Sequence, residues 1–167
     1  MVKYIKAIFI TIKVSFYIFS EALEQTDIHH LVGLKDALTG LFNRKYFNYY
    51  TAKNSKQIKG YIMLDVDHFK QINDSKGHDA GDTTLIKLAD FLRTIPVDCK
   101  LFRFAGDEFV ITVTDKKLLA VISRYIRYNV YSAVGINCSI GAASDWKSSD
   151  IALYQSKITR GRYTILE

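Results

Sequence analysis

The apolar positions of this 167-residue chain change period along its length, and those changes mark out its elements. Leu85, Leu88, Ala89 and Leu92 recur at three- and four-residue spacing, which predicts an amphipathic helix over residues 82–93. Leu119, Ile122 and Ile126 repeat the pattern and predict a second helix over 116–128. Shorter helices are expected at 44–53, after a turn at 36–40, and at 149–157. A single helical turn at 67–73 should lead into a loop at 76–79. Gly60-Tyr-Ile-Met-Leu-Asp65 is a short apolar run, the pattern of a buried strand, and it ends on an acid. Residues 101–104 and 109–114 are strand-like, and the Ala105-Gly106-Asp107-Glu108 between them signals a tight hairpin. A further strand is expected at 135–143. Strands and helices alternate around a central hairpin, so the expected fold class is α+β, a mainly antiparallel sheet flanked by helices.

The first 33 residues follow a different pattern. Residues 2–20 are apolar but interrupted by Lys3, Lys6 and Lys13, and the longest uncharged run, 14–20, is far short of a membrane span of ~20 residues. No small-residue cleavage site follows, which argues against a signal peptide. Ile5, Phe9, Ile12, Phe16, Phe19 and Leu23 alternate by four and three like a coiled-coil seam, while residues 8–18 also alternate at period two like a strand. A dimerising or membrane-surface helix is the expectation for this segment, with 34–167 as the globular domain. It leaves no room for a sensory domain ahead of residue 34.

Composition narrows the picture only modestly. Hydrophobic residues make up 49% and charged ones 24%, a globular balance, and one proline with nine glycines argues against a long flexible linker. The net charge of +6 suits an anionic partner without choosing among them. Nucleic acid is not expected as that partner, because no aromatic-basic array accompanies the charge. Cys99 and Cys138 have no metal-ligand spacing, which fits a reduced, cytoplasmic chain without structural zinc.

The acids change the picture more. Asp65-Val66-Asp67 at a strand end and Asp107-Glu108 in a hairpin can meet on one sheet edge. Close carboxylates raise one another's pKa, so such a cluster calls for a cation. Oxygen ligands favour Mg²⁺, with Mn²⁺ as the alternative, and two such ions suit nucleotidyl transfer.

Four ordered blocks carry a resemblance. Asp36-Ala-Leu-Thr-Gly-Leu-Phe-Asn-Arg44, Asp65-Val-Asp-His-Phe-Lys-Gln-Ile-Asn-Asp74, Gly77-His-Asp-Ala-Gly-Asp82 and Arg103-Phe-Ala-Gly-Asp-Glu-Phe109 resemble the signature blocks of the GGDEF diguanylate cyclase family. Ser139-Ile-Gly141 and Ala152-Leu-Tyr-Gln-Ser-Lys157 are similar to its later strand and closing helix. The resemblance implies a core like that of polymerase palm domains and class III nucleotidyl cyclases. It also implies condensation of two GTP into cyclic di-GMP and two pyrophosphates across a homodimer. By the same resemblance Asp65, the Val66 carbonyl, Asp107 and Glu108 hold the metal, and Asp107 takes the position usually assigned the catalytic base. Lys70 would stabilise phosphate charge in the transition state, and Lys157 would contact phosphate. Asn73 and Asp82 would hold guanine, since a carboxylate accepts from its N1–H and amino group, whereas adenine offers an acceptor at N1. Asp82 also suits a helix N-cap. Phe69, His78, Arg103, Ala105 and Gly106 complete the implied nucleotide site, although Phe69 and Phe109 read more readily as core residues than as ligand contacts.

Ala105 stands where the family has its first hairpin glycine, which implies reduced rather than absent activity. Pro96-Val-Asp-Cys99 occupies the family's inhibitory Arg-x-x-Asp position without an arginine, so product inhibition there is expected to be absent. The stretch from Glu108 to Ser139 is short for the family, and an extra residue precedes Gly161, which leaves the phosphate role of Arg162 open. A catalytically degenerate, GTP-binding regulatory module is the alternative reading.

Overall fold

The computed structural model describes residues 33–166. The helix, strand and membrane-surface expectations for residues 2–20 therefore lie outside the described residues. Along the chain run β1 (Phe42–Asn43), α1 (Arg44–Lys53), β2 (Gly60–Val66), α2 (Phe69–Lys76), α3 (His78–Arg93), β3 (Lys100–Ala105), β4 (Glu108–Val113), α4 (Leu118–Val134), β5 (Cys138–Ala143), α5 (Trp146–Thr159) and β6 (Tyr163–Leu166). One six-stranded sheet forms in the order β1-β3-β4-β2-β5-β6. The inner pairings are all antiparallel, as expected, but β1 and β6 pair parallel at the two edges, so the sheet is mixed.

Strand β2 explains the layering. Its side chains alternate between faces: Ile62, Leu64 and Val66 enter the larger core with Leu85, Leu88 and Leu92 of α3 and Ile122 and Ile126 of α4. Met63 points the other way, into a smaller core with Phe47 of α1, Phe102, Val110 and Leu153 of α5. Each such buried side chain contributes roughly 1.5–3 kcal/mol. Asp65 shares the parity of Met63, so it emerges on the α1/α5 face.

Helix α5 reaches that face because of one glycine. A Cβ on Gly141 of β5 would lie 2.0 Å from the Leu153 backbone nitrogen and 2.5 Å from the Ser149 carbonyl oxygen. The absent side chain lets the helix, which buries Ser149, Ala152, Leu153 and Ser156, lie directly on the strand. Ser156 Oγ fixes the register by donating to the Ile140 carbonyl at 2.7 Å. Asp145 caps the helix start, accepting from the Ser148 N–H at 3.0 Å.

Several expected boundaries move. The predicted loop at 76–79 shrinks to Gly77, which alone separates α2 from α3 and takes a φ of +86°. Helix α3 therefore starts at His78 and Asp82 lies inside it, not at its N-cap. Helix α4 runs six residues past the expected end because Val130 continues its apolar face, and it stops at Gly135 in a left-handed conformation (φ +81°). Strand β5 is correspondingly shorter than the expected 135–143. Cys99 and Cys138 are free thiols, the first pushed up to about 11 by burial. Among the described residues no helix is long and apolar enough to cross a membrane.

Candidate active site

The register of the sheet builds the acidic site. Asp65 lies directly opposite Glu108 on β4 and Ser139 on β5, and directly opposed residues project from the same face. Asp107 occupies the tip of the β3–β4 hairpin, where its carbonyl accepts from the Val66 N–H at 3.3 Å and ties the tip to the end of β2. Lys157, in the last turns of α5, sets its ammonium 2.6 Å from Asp65 Oδ2, with only 14% of the Asp65 side chain exposed. Burial, followed by the charge of Asp65, pushes the Asp107 carboxyl above its ordinary range. Burial also raises Glu108, against the opposing pull of Lys157. Asp65, Asp107, Glu108 and Lys157 therefore form one electrostatic unit, although no three His, Cys, Asp or Glu among the described residues converge closely enough to hold a metal ion.

Asp67 does not join this cluster, contrary to its grouping with Asp65 in sequence. Its carboxylate, 3% exposed, accepts from Ser139 Oγ and the Gly161 N–H, each at 2.7 Å. It straps the turn after α5 to the sheet.

The hairpin has its own brace. Arg103 donates through Nε to the Gly106 carbonyl at 2.9 Å and through its terminal nitrogen to Asp36 Oδ1 at 2.9 Å. The same Asp36 oxygen accepts from the Thr39 N–H and hydroxyl. Burial alone would raise the Asp36 carboxyl, but the bonds from Thr39 and Arg103 outweigh it and hold the group below its ordinary value. The family resemblance implies a nucleotide contact for Arg103 and no role for Asp36; a partner 67 residues away leaves no local signal. Since folding lowers this carboxyl, its stabilisation is complete above the unfolded pKa and is lost as pH falls through the folded one. Asp36→Asn should thus cost about 1–2 kcal/mol at neutral pH. In urea titrations the variant and the parent chain should converge in acid; a gap independent of pH would contradict this electrostatic origin.

Ala105 sits at the exposed end of β3, paired with Glu108 beyond a register shift. Among the described residues only His68 and Arg160 are non-glycines with positive φ, so the Ala105 backbone is unstrained; Gly106 alone takes the positive φ (+37°) of the turn.

On the other side of the Asp67-His68 turn, α2 and α3 meet around Asn73. Its Oδ1 is buried without a hydrogen-bond partner among the described residues. It lies 1.9 Å from where a Cβ on Gly81 would be, so only glycine permits this approach. Phe69 packs half-buried against the larger core, while Lys70, His78 and Asp82 are exposed on these helices. The structure thus brings Asp65, Asp107, Glu108 and Lys157 together and assembles Phe69, Asn73 and Gly81 nearby in sequence; Lys70, His78 and Asp82 face solvent.

Residues 34–162 match the family described as the diguanylate cyclase GGDEF domain. The chain belongs to the GGDEF-domain family. It is 33% identical over 144 residues to the diguanylate cyclase DgcS of Shewanella oneidensis, covering 73% of this chain and 49% of that protein. The chain thus spans about half the length of that relative. The structure resembles the diguanylate cyclase SiaD, solved in complex with its activator SiaC from Pseudomonas aeruginosa, with a TM-score of 0.82 at 22% identity over 98% of this chain and 74% of that one. It also resembles the coiled coil and GGDEF domain of DgcB from Caulobacter crescentus in complex with c-di-GMP, with a TM-score of 0.75 at 25% identity over 91% and 95% of the two chains. The mixed sheet with its five helices is therefore the GGDEF-domain fold.

Proposed function

We propose that this GGDEF domain is a diguanylate cyclase, joining two GTP molecules, one per subunit of a homodimer, into cyclic di-GMP with release of two pyrophosphates. The observation that carries the proposal is the clustering of Asp65, Asp107 and Glu108 on one sheet edge with a cation, the Lys157 ammonium, already among them. An all-oxygen donor set whose charge attracts a cation is the chemistry that suits Mg²⁺ or Mn²⁺. Asp65, the Val66 carbonyl, Asp107 and Glu108 would hold it. Bound there, the ion would act as a Lewis acid toward the hydroxyl and phosphate oxygens.

The chain's own residues have separable tasks. Asp107, its carboxyl raised by burial and by Asp65, is suited to accept the 3′-hydroxyl proton. Lys70 and Lys157 supply positive charge to phosphate oxygens. The unpartnered Oδ1 of Asn73 and the carboxylate of Asp82 provide acceptors for the donor edge of guanine, which favours GTP over ATP. Arg103 acts by bracing the hairpin carbonyl at Gly106. The segment Pro96-Val-Asp-Cys99 offers no arginine for bidentate product contact, so feedback through that surface is not part of the reading.

The alternative of a GTP-binding regulatory module draws on Ala105 and on the absence, among the described residues, of three converging metal ligands. The two readings part on turnover. Mass spectrometry of the full chain incubated with GTP and Mg²⁺ should find cyclic di-GMP; GTP bound but unconverted at high protein concentration selects the regulatory module. As Ala105 has ordinary φ and an exposed methyl, Ala105→Gly should raise the rate by no more than about tenfold, 1.4 kcal/mol in the barrier. A gain of several orders of magnitude would mark the parent as degenerate.

A further inference from the structure

Helix α4 covers the larger core with one face and turns a second, chemically distinct face to solvent. Leu119, Ile122, Ile126 and Val130 are buried. At about 100° per residue, Lys117, Val121, Arg124, Arg127, Tyr128 and Tyr131 fall within a sector of about 120° on the other side. In sequence these residues are scattered among apolar ones; the helix gathers them. Tyr128 is 70% exposed, Tyr131 63% and Val121 55%. Between Lys116 and Ser144 the chain carries four cations and no acid, whereas the neighbouring α3 sets Asp79, Asp82 and Asp90 against Lys87 and Arg93. None of Lys116, Lys117, Arg124 and Arg127 has an acidic partner among the described residues. Tyr125, on the flank toward α3, is used internally: it stacks on Phe91 with ring centroids 5.7 Å apart and shares a 3.1 Å hydrogen bond with the Thr94 hydroxyl. Tyr128 and Tyr131 have no such ring partner among the described residues.

The shape and chemistry of this face select its partner. The outer surface of a helix is convex and meets a plane along its whole length, here about 25 Å for 17 residues. Single-stranded nucleic acid is instead held in a groove that tracks the backbone and offers rings for stacking. Tyrosines with an apolar body and a wet hydroxyl, beside cations on long apolar stems, are the residues that settle at the headgroup level of a bilayer. We propose that the outer face of α4 docks on the anionic surface of a lipid bilayer. Lys117, Arg124 and Arg127 meet headgroup phosphates, while Val121, Tyr128 and Tyr131 reach toward the acyl boundary. Helix α4 packs on the larger core, and Asp65 emerges on the opposite face of the sheet, so docking leaves the acidic edge open. The proposal involves no residue of 2–20 and does not depend on turnover.

Co-sedimentation of the full chain with lipid vesicles tests the docking. At low salt the chain should partition onto mixed phosphatidylglycerol–phosphatidylcholine vesicles and far less onto phosphatidylcholine alone, and high salt should release it. A cation near an anionic bilayer is worth about fivefold in affinity. Arg124→Gln combined with Arg127→Gln should therefore weaken partitioning by about 25-fold. The same neutralisation at Lys45 and Lys53 of α1, on the other side of the sheet, should change it by no more than about twofold, since attraction fades within a Debye length. All these chains share residues 2–20, so differences among them report α4 and not that segment. Tyr128→Trp adds a positional readout: its emission should shift to the blue on anionic vesicles, while the parent's Trp146, packed in the smaller core, should not shift. A parent chain that binds neither vesicle, or both alike, overturns the proposal without any variant having to fold. So does parental partitioning by the Arg124→Gln and Arg127→Gln chain at unchanged circular dichroism, or an unshifted Tyr128→Trp. Salt-sensitive retention of RNA by the parent, with no vesicle binding, would overturn it in favour of nucleic acid.

Discussion

Asp107→Asn should lower cyclic di-GMP formation by about 100- to 10,000-fold, the usual share of a general base, while leaving the fold at least as stable. The two halves of this expectation have one cause. Folding buries Asp107 beside Asp65 and raises its carboxyl, so the ionised group disfavours the folded state at neutral pH. The sign follows from linkage: the native state holds the proton to higher pH than the unfolded chain, so stability from this group returns only as pH falls through the raised value. Asparagine keeps the shape and removes the charge. Thermal melts at neutral pH should therefore show an unchanged or higher midpoint alongside the lost turnover. A variant that loses activity and stability together would mean that the carboxylate is structural.

Gly141→Ala should have the largest effect on stability. The new methyl would meet backbone atoms of α5, the Leu153 nitrogen at 2.0 Å and its Cα at 2.5 Å, and backbone in a packed helix cannot swing aside. Either α5 lifts from β5 or the sheet deforms, at a cost of about 3 kcal/mol, the upper end for overpacking. The same substitution at Gly106, where a Cβ meets nothing within 4 Å and only the positive φ resists, should cost only about 1–2 kcal/mol. Urea denaturation of both variants measures the difference. Equal losses would contradict the close helix–sheet approach that carries Lys157 to Asp65.

What could be read from the sequence followed from how local its causes were. Helix α1 lay where expected because its cap is local: Asn43 accepts from the Tyr46 N–H at 3.1 Å. Strand β2 and the hairpin were legible from a continuous apolar run and a turn signal, and with them the acids. The edge strands were not. Two residues at β1 and four at β6 are strands only because β3 and β5 lie beside them. The start of α3 was hidden because His78-Asp79-Ala80-Gly81 has turn-like composition, whereas in the fold Gly81 is buried close against Asn73. The Asp67 bonds to Ser139 and Gly161 span 72 and 94 residues, so composition groups Asp67 with Asp65 while the fold separates them. The candidate catalytic acids were visible; their supports were not.

The activity proposed for this acidic edge is a symmetrical condensation of GTP. Its most direct test is the stoichiometry of the purified full chain with GTP and Mg²⁺, cyclic di-GMP by mass spectrometry and pyrophosphate by a coupled assay. Two pyrophosphates are expected for each cyclic di-GMP, and no cyclic dinucleotide from ATP. Pyrophosphate without the cyclic product, or neither at concentrations where subunits associate, would contradict it.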